Sequence, residues 1–199
     1  MRLDEARRDL YRRLAREQGY RSRAAFKLIE ACDKYEFIGE GDFVVDFGSA
    51  PGGWLQVASK LVGERGLAAG LDTRPVHMKE KNVVCLAMDI QDPGVGEALF
   101  RLMGRKADVF LSDLAPSVSG VWELDQGRQA DLTLRVLELA PALLRDGGTA
   151  FCKLFEGERS QELRQALRKG FGSVKAFKPA ASRSSSSEMY YYCQGWKGV

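Results

Sequence analysis

Along this chain, short apolar runs alternate with stretches whose apolar residues recur every three or four positions, and the two periods predict strands and helices. The sharpest junction lies at residues 42–54. Phe43, Val44, Val45 and Phe47 form a β-branched and aromatic run, small residues follow from Gly48 to Gly53, and Leu55, Val57, Ala58, Leu61 and Val62 then recur at helical spacing. This is a strand, a tight turn and a helix. Further runs rich in Val, Ala, Leu and Phe complete a set of predicted strands over residues 43–47, 67–72, 83–88, 107–112, 149–154, 173–177 and 189–194. Helices are predicted over 52–63, 94–103, 124–145 and 159–170, with another around Ala25, Leu28, Ile29 and Cys32 near the start, where Lys27 falls beside the apolar face and is expected to point along the domain surface. Leu132, Val136, Leu139 and Leu143 give the long helix a buried stripe. Strands with so little polar alternation imply a sheet covered on both faces. The expected fold is therefore α/β and Rossmann-like, with about seven mainly parallel strands and a ligand site at their carboxyl ends.

Composition narrows the class. With 199 residues, 45% of them hydrophobic, the chain can bury one sizeable core, and it is expected to form a single domain over residues 1–199. No apolar run is long enough to span a bilayer, and the arginine-rich N-terminus lacks an apolar signal core, so a cytoplasmic protein without membrane contact is expected. Cys32, Cys85, Cys152 and Cys193 are widely spaced, and the single His77 has no cysteine nearby. They read as small buried thiols, with no metal site. The net charge of +3 is small but unevenly spread. Residues 1–35 read as a helical arm in which Arg2, Arg7, Arg8, Arg12, Arg13, Arg16, Arg21 and Arg23 outnumber the acids, with Tyr11 and Tyr20 interleaved. Such an arm suits RNA phosphates and bases, or it is a solvated amphipathic helix laced with ion pairs.

The candidate chemistry gathers at the predicted strand ends. Gly48, Gly52 and Gly53 follow a Gly-x-x-x-Gly-Gly pattern. This is neither the dinucleotide fingerprint nor the phosphate loop that ends in Gly-Lys-Ser/Thr. A ligand with an adenosine and no pyrophosphate fits better, and S-adenosylmethionine is the common one. Asp72, ending the second strand, is placed to accept hydrogen bonds from ribose hydroxyls. Asp89 follows the third strand, where it could meet an adenine amino group or simply form a turn. Asp113 opens a loop of small polar residues. Lys153 sits among Phe151, Cys152, Leu154 and Phe155, so it needs a partner, a purpose, or a route to solvent at the sheet edge. Together with Asp46, these groups should collect on one edge.

Five stretches carry a resemblance: 19–28, 46–54, 112–120, 151–155 and 182–190. In this order, and over nearly the whole chain, they resemble the FtsJ-like (RrmJ-type) family of S-adenosylmethionine-dependent ribose 2′-O-methyltransferases. The resemblance implies a class I methyltransferase fold and a Lys-Asp-Lys-Glu tetrad, carried here by Lys27, Asp113, Lys153 and Glu188. It also implies cofactor positions at Gly52, Trp54, Asp72, Asp89 and Asp113. Residues 72–81 depart from the family, which more usually has apolar residues after the ribose-binding acid.

Methyl transfer to a 2′-hydroxyl is an in-line displacement in which the oxygen loses its proton as it attacks. An ordinary lysine, with a pKa of about 10.4, cannot take that proton at neutral pH. Lys153, beside Lys27 in an apolar strand, is expected to be shifted down by like charge and burial, with Asp113 and Glu188 opposing. Lys153 is then either base or orienting charge, Asp113 its positioning partner, and Lys27 and Glu188 supports. The reaction expected is methylation of RNA, with a uridine of large-subunit ribosomal RNA in a ribosomal particle as the nearest target and a monomer sufficing. The same reaction on transfer RNA and a non-catalytic RNA-binding factor are the alternatives. The absence of the dinucleotide fingerprint disfavours a nicotinamide enzyme.

Overall fold

In the computed structural model, which describes residues 3–116, 119–182 and 187–199 and the side chains from residue 10 onward, the seven expected strands form one sheet. The elements run α1 (Leu3–Glu17), α2 (Ala25–Tyr35), β1 (Phe43–Phe47), α3 (Gly53–Val62), β2 (Leu67–Asp72), β3 (Val83–Ala87) and α4 (Val95–Met103). They continue with β4 (Ala107–Ser112), α5 (Trp122–Leu143), β5 (Leu144–Phe155), α6 (Ser160–Gly170), β6 (Phe171–Phe177) and β7 (Glu188–Trp196). The strand order is β3-β2-β1-β4-β5-β7-β6. The first five strands are mutually parallel, and β7 runs antiparallel between β5 and β6. After β1 the chain builds outward to β3 and then returns to β4 on the other side, so the direction of winding reverses between β1 and β4. Loops diverge at such a point and leave a crevice at the carboxyl ends.

Alternation along each strand sends neighbouring side chains to opposite faces. Val44, Ala68, Val109 and Leu111 pack with Leu28 of α2 and Leu55, Ala58 and Val62 of α3. Val45, Phe47, Ala69, Leu71 and Phe110 pack with Leu99 of α4, Val136, Leu139 and Leu143 of α5, and Leu163 and Leu167 of α6. Both faces are thus dry, which is why the strands read as continuous apolar runs. β5 begins at Leu144, five residues before the expected start. Its pairing with β4 breaks register between Ala107 and Val109, which absorbs the polar Arg145–Gly148 segment into an irregular edge.

The arm helix α1 lies on α2 through Tyr11, whose ring is 5.5 Å from that of Phe26. Ala15 is buried, whereas Arg12, Arg13 and Arg16 are exposed, with Arg13 in an intrahelical pair with Glu17. Of the expected arginines, Arg2 lies outside the described residues, and only the backbone is described at Arg7 and Arg8. Residues 183–186 of the resembling stretch 182–190, and Ser117 and Val118 of the loop after β4, also lie outside them. Cys32, Cys152 and Cys193 are buried as expected, but Cys85 is only half-buried. Burial, with Asp33 adding to it, pushes the Cys32 thiol up to about 12. Among the described residues, no helix is long and apolar enough to cross a membrane.

The amino end of the sheet is tied by one carboxylate. Asp108, 7% exposed, accepts the Phe43 backbone N–H at 2.8 Å and pairs with Arg105 and Arg145, joining the starts of β1, β4 and β5. Asp108→Ala should therefore cost roughly 2–4 kcal/mol, because it strands a backbone donor and two partly buried guanidinium groups. Urea titration measures that loss. Cofactor affinity, set at the opposite end of the strands, should stay at the parental value by calorimetry.

Candidate active site

The turn after β1 is closed by protein groups on several sides. Gly48 has φ +80°, and a Cβ there would come within 3.2 Å of the Leu114 backbone. Gly52, at φ +104°, faces Met78 and Arg21, and a Cβ on Gly53 would meet the Ser22 hydroxyl at 2.3 Å. Only glycine permits this approach. Arg21 seals the turn, donating from Nη1 to the Pro51 carbonyl at 3.1 Å and from its second Nη to the His77 carbonyl. Trp54 is 3% exposed, and its indole N–H donates to the Ala24 carbonyl at 2.7 Å.

Beside this turn a cleft of about 920 Å³ opens at the carboxyl ends of the strands. Of the expected residues, Gly48, Asp72, Asp89, Asp113 and Lys153 line it. Gly52, Gly53 and Trp54 do not; they pack against α2 and the segment before it. The Asp72 carboxylate accepts the Ala50 N–H at 2.9 Å and the Arg74 N–H at 2.9 Å, which fixes it at the cleft wall. Asp89 does form a turn, accepting the Gln91 N–H at 2.9 Å, while also facing the cleft. Three carboxylates from successive strand ends, with Met88, Ile90 and Leu114 between them, offer acceptors for ribose hydroxyls and amino groups around an apolar slot. That donor and acceptor set fits S-adenosylmethionine and offers no cradle for a pyrophosphate.

The four tetrad residues stand in one buried chain of contacts. Lys27 Nζ lies 2.5 Å from Glu188 Oε1 and donates to the Tyr190 hydroxyl at 2.8 Å. Tyr190 donates to Asp113 Oδ1 at 2.7 Å. Lys153 Nζ is 3.0 Å from that same oxygen and donates to the Asp113 carbonyl at 2.8 Å. One expectation is corrected here. Lys27 does not run along the surface but is 7% exposed beneath β7. Tyr190 and Asp113 bridge the two lysines, and each lysine nitrogen meets a carboxylate oxygen. Burial alone would raise the Asp113 carboxyl. The Lys153 charge, then that of Lys27 and the Tyr190 hydrogen bond, outweigh it and hold Asp113 below the usual carboxylate range. Burial, reinforced by the Asp113 and Glu188 charges, keeps the Tyr190 phenol protonated well above its ordinary value.

Sequence reasoning missed Tyr190, although its signal was present. In a strand, residues two apart share a face, so a site at Glu188 places Tyr190 beside it. It also missed Gln129 and Thr133, buried polar residues on α5. Gln129 donates to the Lys153 carbonyl at 2.7 Å and accepts the Phe155 N–H at 3.2 Å, fixing the end of β5. Asp46 departs from expectation too. It is 1% exposed, does not line the cleft, and its oxygens have no hydrogen-bond partner among the described residues.

A family model described as FtsJ-like methyltransferase matches residues 20–196. Ribosomal RNA large subunit methyltransferase E of Nitrosopumilus maritimus is 42% identical over 198 residues, covering 100% of both chains. The protein of that name from Methanothermobacter thermautotrophicus is 41% identical, covering 98% of this chain and 92% of its own. A solved structure from Plasmodium falciparum, described as a ribosomal RNA methyltransferase, superposes with a TM-score of 0.80 at 29% identity, covering 90% of this chain and 100% of its own. Aeropyrum pernix fibrillarin, solved with natively bound S-adenosylmethionine, shares the fold at TM-score 0.55 and 18% identity, covering 78% of this chain and 68% of its own.

Asp46 gives this site a pH signature. Burial first, then the Asp113 and Asp72 charges, raise its carboxyl well above the ordinary 3.8. The folded chain thus keeps a proton that the unfolded chain loses, and stability falls as pH rises from 3.8 toward the folded value. Asp46→Asn removes this titration. Its stability relative to the parent should climb by up to about 1.4 kcal/mol per pH unit over that range. Urea titrations between about pH 4.5 and 6.5 measure the slope; a pH-independent difference would mean that Asp46 ionises normally.

Proposed function

This chain belongs to the FtsJ-like methyltransferase family, and we propose that it methylates a ribose 2′-hydroxyl of RNA, a uridine of large-subunit ribosomal RNA in a ribosomal particle. The observation that carries the reading is the unbroken contact chain from Glu188 through Lys27, Tyr190 and Asp113 to Lys153, which lines the cleft with Asp72 and Asp89. S-adenosylmethionine, when bound, supplies a methyl group on a sulfonium, an electrophile that needs no metal.

Asp72 would hold the cofactor's ribose and Asp89 its adenine amino group, with Gly48 letting the turn come close. Gly52, Gly53 and Trp54 would act one layer back, holding the turn in shape. Lys153 would meet the 2′-hydroxyl, either orienting it as an ammonium or, once it has given up its own proton, taking the hydroxyl's. Asp113, kept ionised, fixes Lys153 by two contacts. Tyr190 passes the restraint to Lys27 and Glu188, which would hold the substrate side of the network. Names of relatives favour ribosomal over transfer RNA as substrate. In this reading residues 1–199 act as one methyltransferase domain, cytoplasmic and monomeric, and 1–35 form an RNA-facing arm.

Lys153→Ala should lower the single-turnover methylation rate by about a hundredfold or more while cofactor and RNA affinities change little. Lys153→Arg should be slow as well, since a guanidinium is bulkier and accepts no proton near neutral pH. Undermodified large-subunit particles and transfer RNA, offered in parallel with labelled cofactor, give the assay and the substrate together. A near-parental rate in the alanine variant on a methylated RNA would remove Lys153 from the chemistry.

The exposed arginines of α1 generate a separate expectation. Replacing Arg12, Arg13 and Arg16 by Ala should weaken RNA binding and make its log–log salt dependence shallower by up to about 3. Cofactor binding should survive. An unchanged salt slope would leave α1 a solvated helix.

A further inference from the structure

One aromatic pair stands directly above the tetrad. β5 and β7 are antiparallel and in register, with Lys153 opposite Tyr190 and Phe155 opposite Glu188. Phe155 therefore shares a sheet face with Lys153 and lies one step nearer the rim. Its ring centre is 5.8 Å from Lys153 Nζ. Trp122, the first residue of α5, places its ring 5.7 Å from that of Phe155, tilted by 31°. A tilted pair does not seal its faces as a parallel stack would. Trp122 is 45% exposed, whereas Trp54 and Trp196 are 3% and 5% exposed. Leaving so large an apolar ring half in water is costly unless something covers it.

The pair is rigidly placed relative to the chemistry. Asp125 Oδ1 accepts from the Ser119 backbone N–H at 2.8 Å and from its hydroxyl at 2.7 Å, which fixes the turn leading into Trp122. Gln129, further along the same helix, grips the backbone of both Lys153 and Phe155. Helix α5 thus sets aromatic rings and catalytic amine in one frame. In a nucleotide the base hangs from C1′, the carbon next to C2′. A ribose whose 2′-hydroxyl meets Lys153 must carry its base within about a ring's width of that amine, and the Phe155 ring lies at that distance.

We propose that Trp122 and Phe155 form a stacking platform for the base of the nucleotide being methylated. The proposal rests on the ribose 2′-O-methyltransferase reading above and adds how the target base is held. Stacking tolerates any base, because each has a π face. The platform therefore requires the target nucleotide to be unpaired and splayed out of its helix, as single-stranded loops allow.

The test combines kinetics with a binding signal. On undermodified large-subunit particles, Trp122→Ala should raise the particle concentration needed for half-maximal methylation by about tenfold or more, as expected for one lost base stack. Trp122→Phe should restore most of the loss, and Phe155→Leu, which keeps bulk without a ring, should behave like Trp122→Ala. Cofactor affinity by calorimetry should be parental in all three. Because Trp122 is the exposed indole, a short oligouridine should quench the parent's tryptophan fluorescence, and an abasic oligomer of equal length should not. Parental kinetics in Trp122→Ala, or equal quenching by the abasic oligomer, would overturn the platform. If the parent methylates no RNA, the reaction assigned above fails, while the quenching comparison still decides whether a base stacks here.

Discussion

Two lysines are taken almost wholly out of water at one edge of this sheet, each against a largely buried carboxylate, and the arrangement around them is dictated by that fact. A buried charge is tolerated only when paired and hydrogen-bonded, and removing one partner leaves the other stranded at a cost of several kcal/mol. Lys153 at 4% exposure and Lys27 at 7% each meet a carboxylate within 3.0 Å. Tyr190 joins the two pairs through its hydroxyl. The four elements that supply these groups, α2, β4, β5 and β7, are thereby fixed relative to one another. For a displacement reaction this matters more than the strength of any contact, because a reacting oxygen must be held in line with the bond it breaks.

The topology explains how residues so distant in the chain reach one another. In a wholly parallel sheet, only residues at strand ends would gather at the carboxyl edge. Because β7 is inserted antiparallel, its first residues lie beside the last residues of β5, as the pairings Phe155 with Glu188 and Lys153 with Tyr190 record. The end of β4 delivers Asp113 next to them, through the β4–β5 pairing of Ser112 with Cys152. Lys27 comes from outside the sheet, on the helix that covers the face where Tyr190 points.

Much of this was legible before any coordinates. Apolar runs located all seven strands, since a sheet dry on both faces leaves little room for polar residues. The clustered motifs picked out four residues that the structure brings into one chain of contacts. What periodicity does not contain is the identity of the atoms on the far side of a side chain. The glycines at 52 and 53 read as close-approach positions of a turn, and the resemblance implies Gly52 and Trp54 as cofactor positions, but neither reading contains Arg21, Ser22 and Ala24, which stand against them in the structure. Lys27 read as a surface residue because its helix position lies beside the apolar stripe, and only the packing of β7 over α2 buries it. Tyr190 was hidden in a run of three tyrosines, of which alternation marks the middle one as different without saying what it touches.

The two ends of the sheet solve the problem of buried polarity in opposite ways. At the amino end, Asp108 has its oxygens taken up by Phe43, Arg105 and Arg145, and nothing there points to chemistry. At the carboxyl end, the Asp46 oxygens near the end of β1 and the Ser49 hydroxyl in the turn that follows are buried with no partner among the described residues. Proteins relax their rules of polar satisfaction where function demands it and compensate elsewhere. Asp46 faces the same electrostatic field as Asp113, and with both ionised the carboxylates would repel one another across a dry interior. Burial and those charges raise the Asp46 carboxyl, which eases that repulsion, while Lys153, Lys27 and the Tyr190 hydroxyl hold Asp113 low, so that its charge stays set against Lys153.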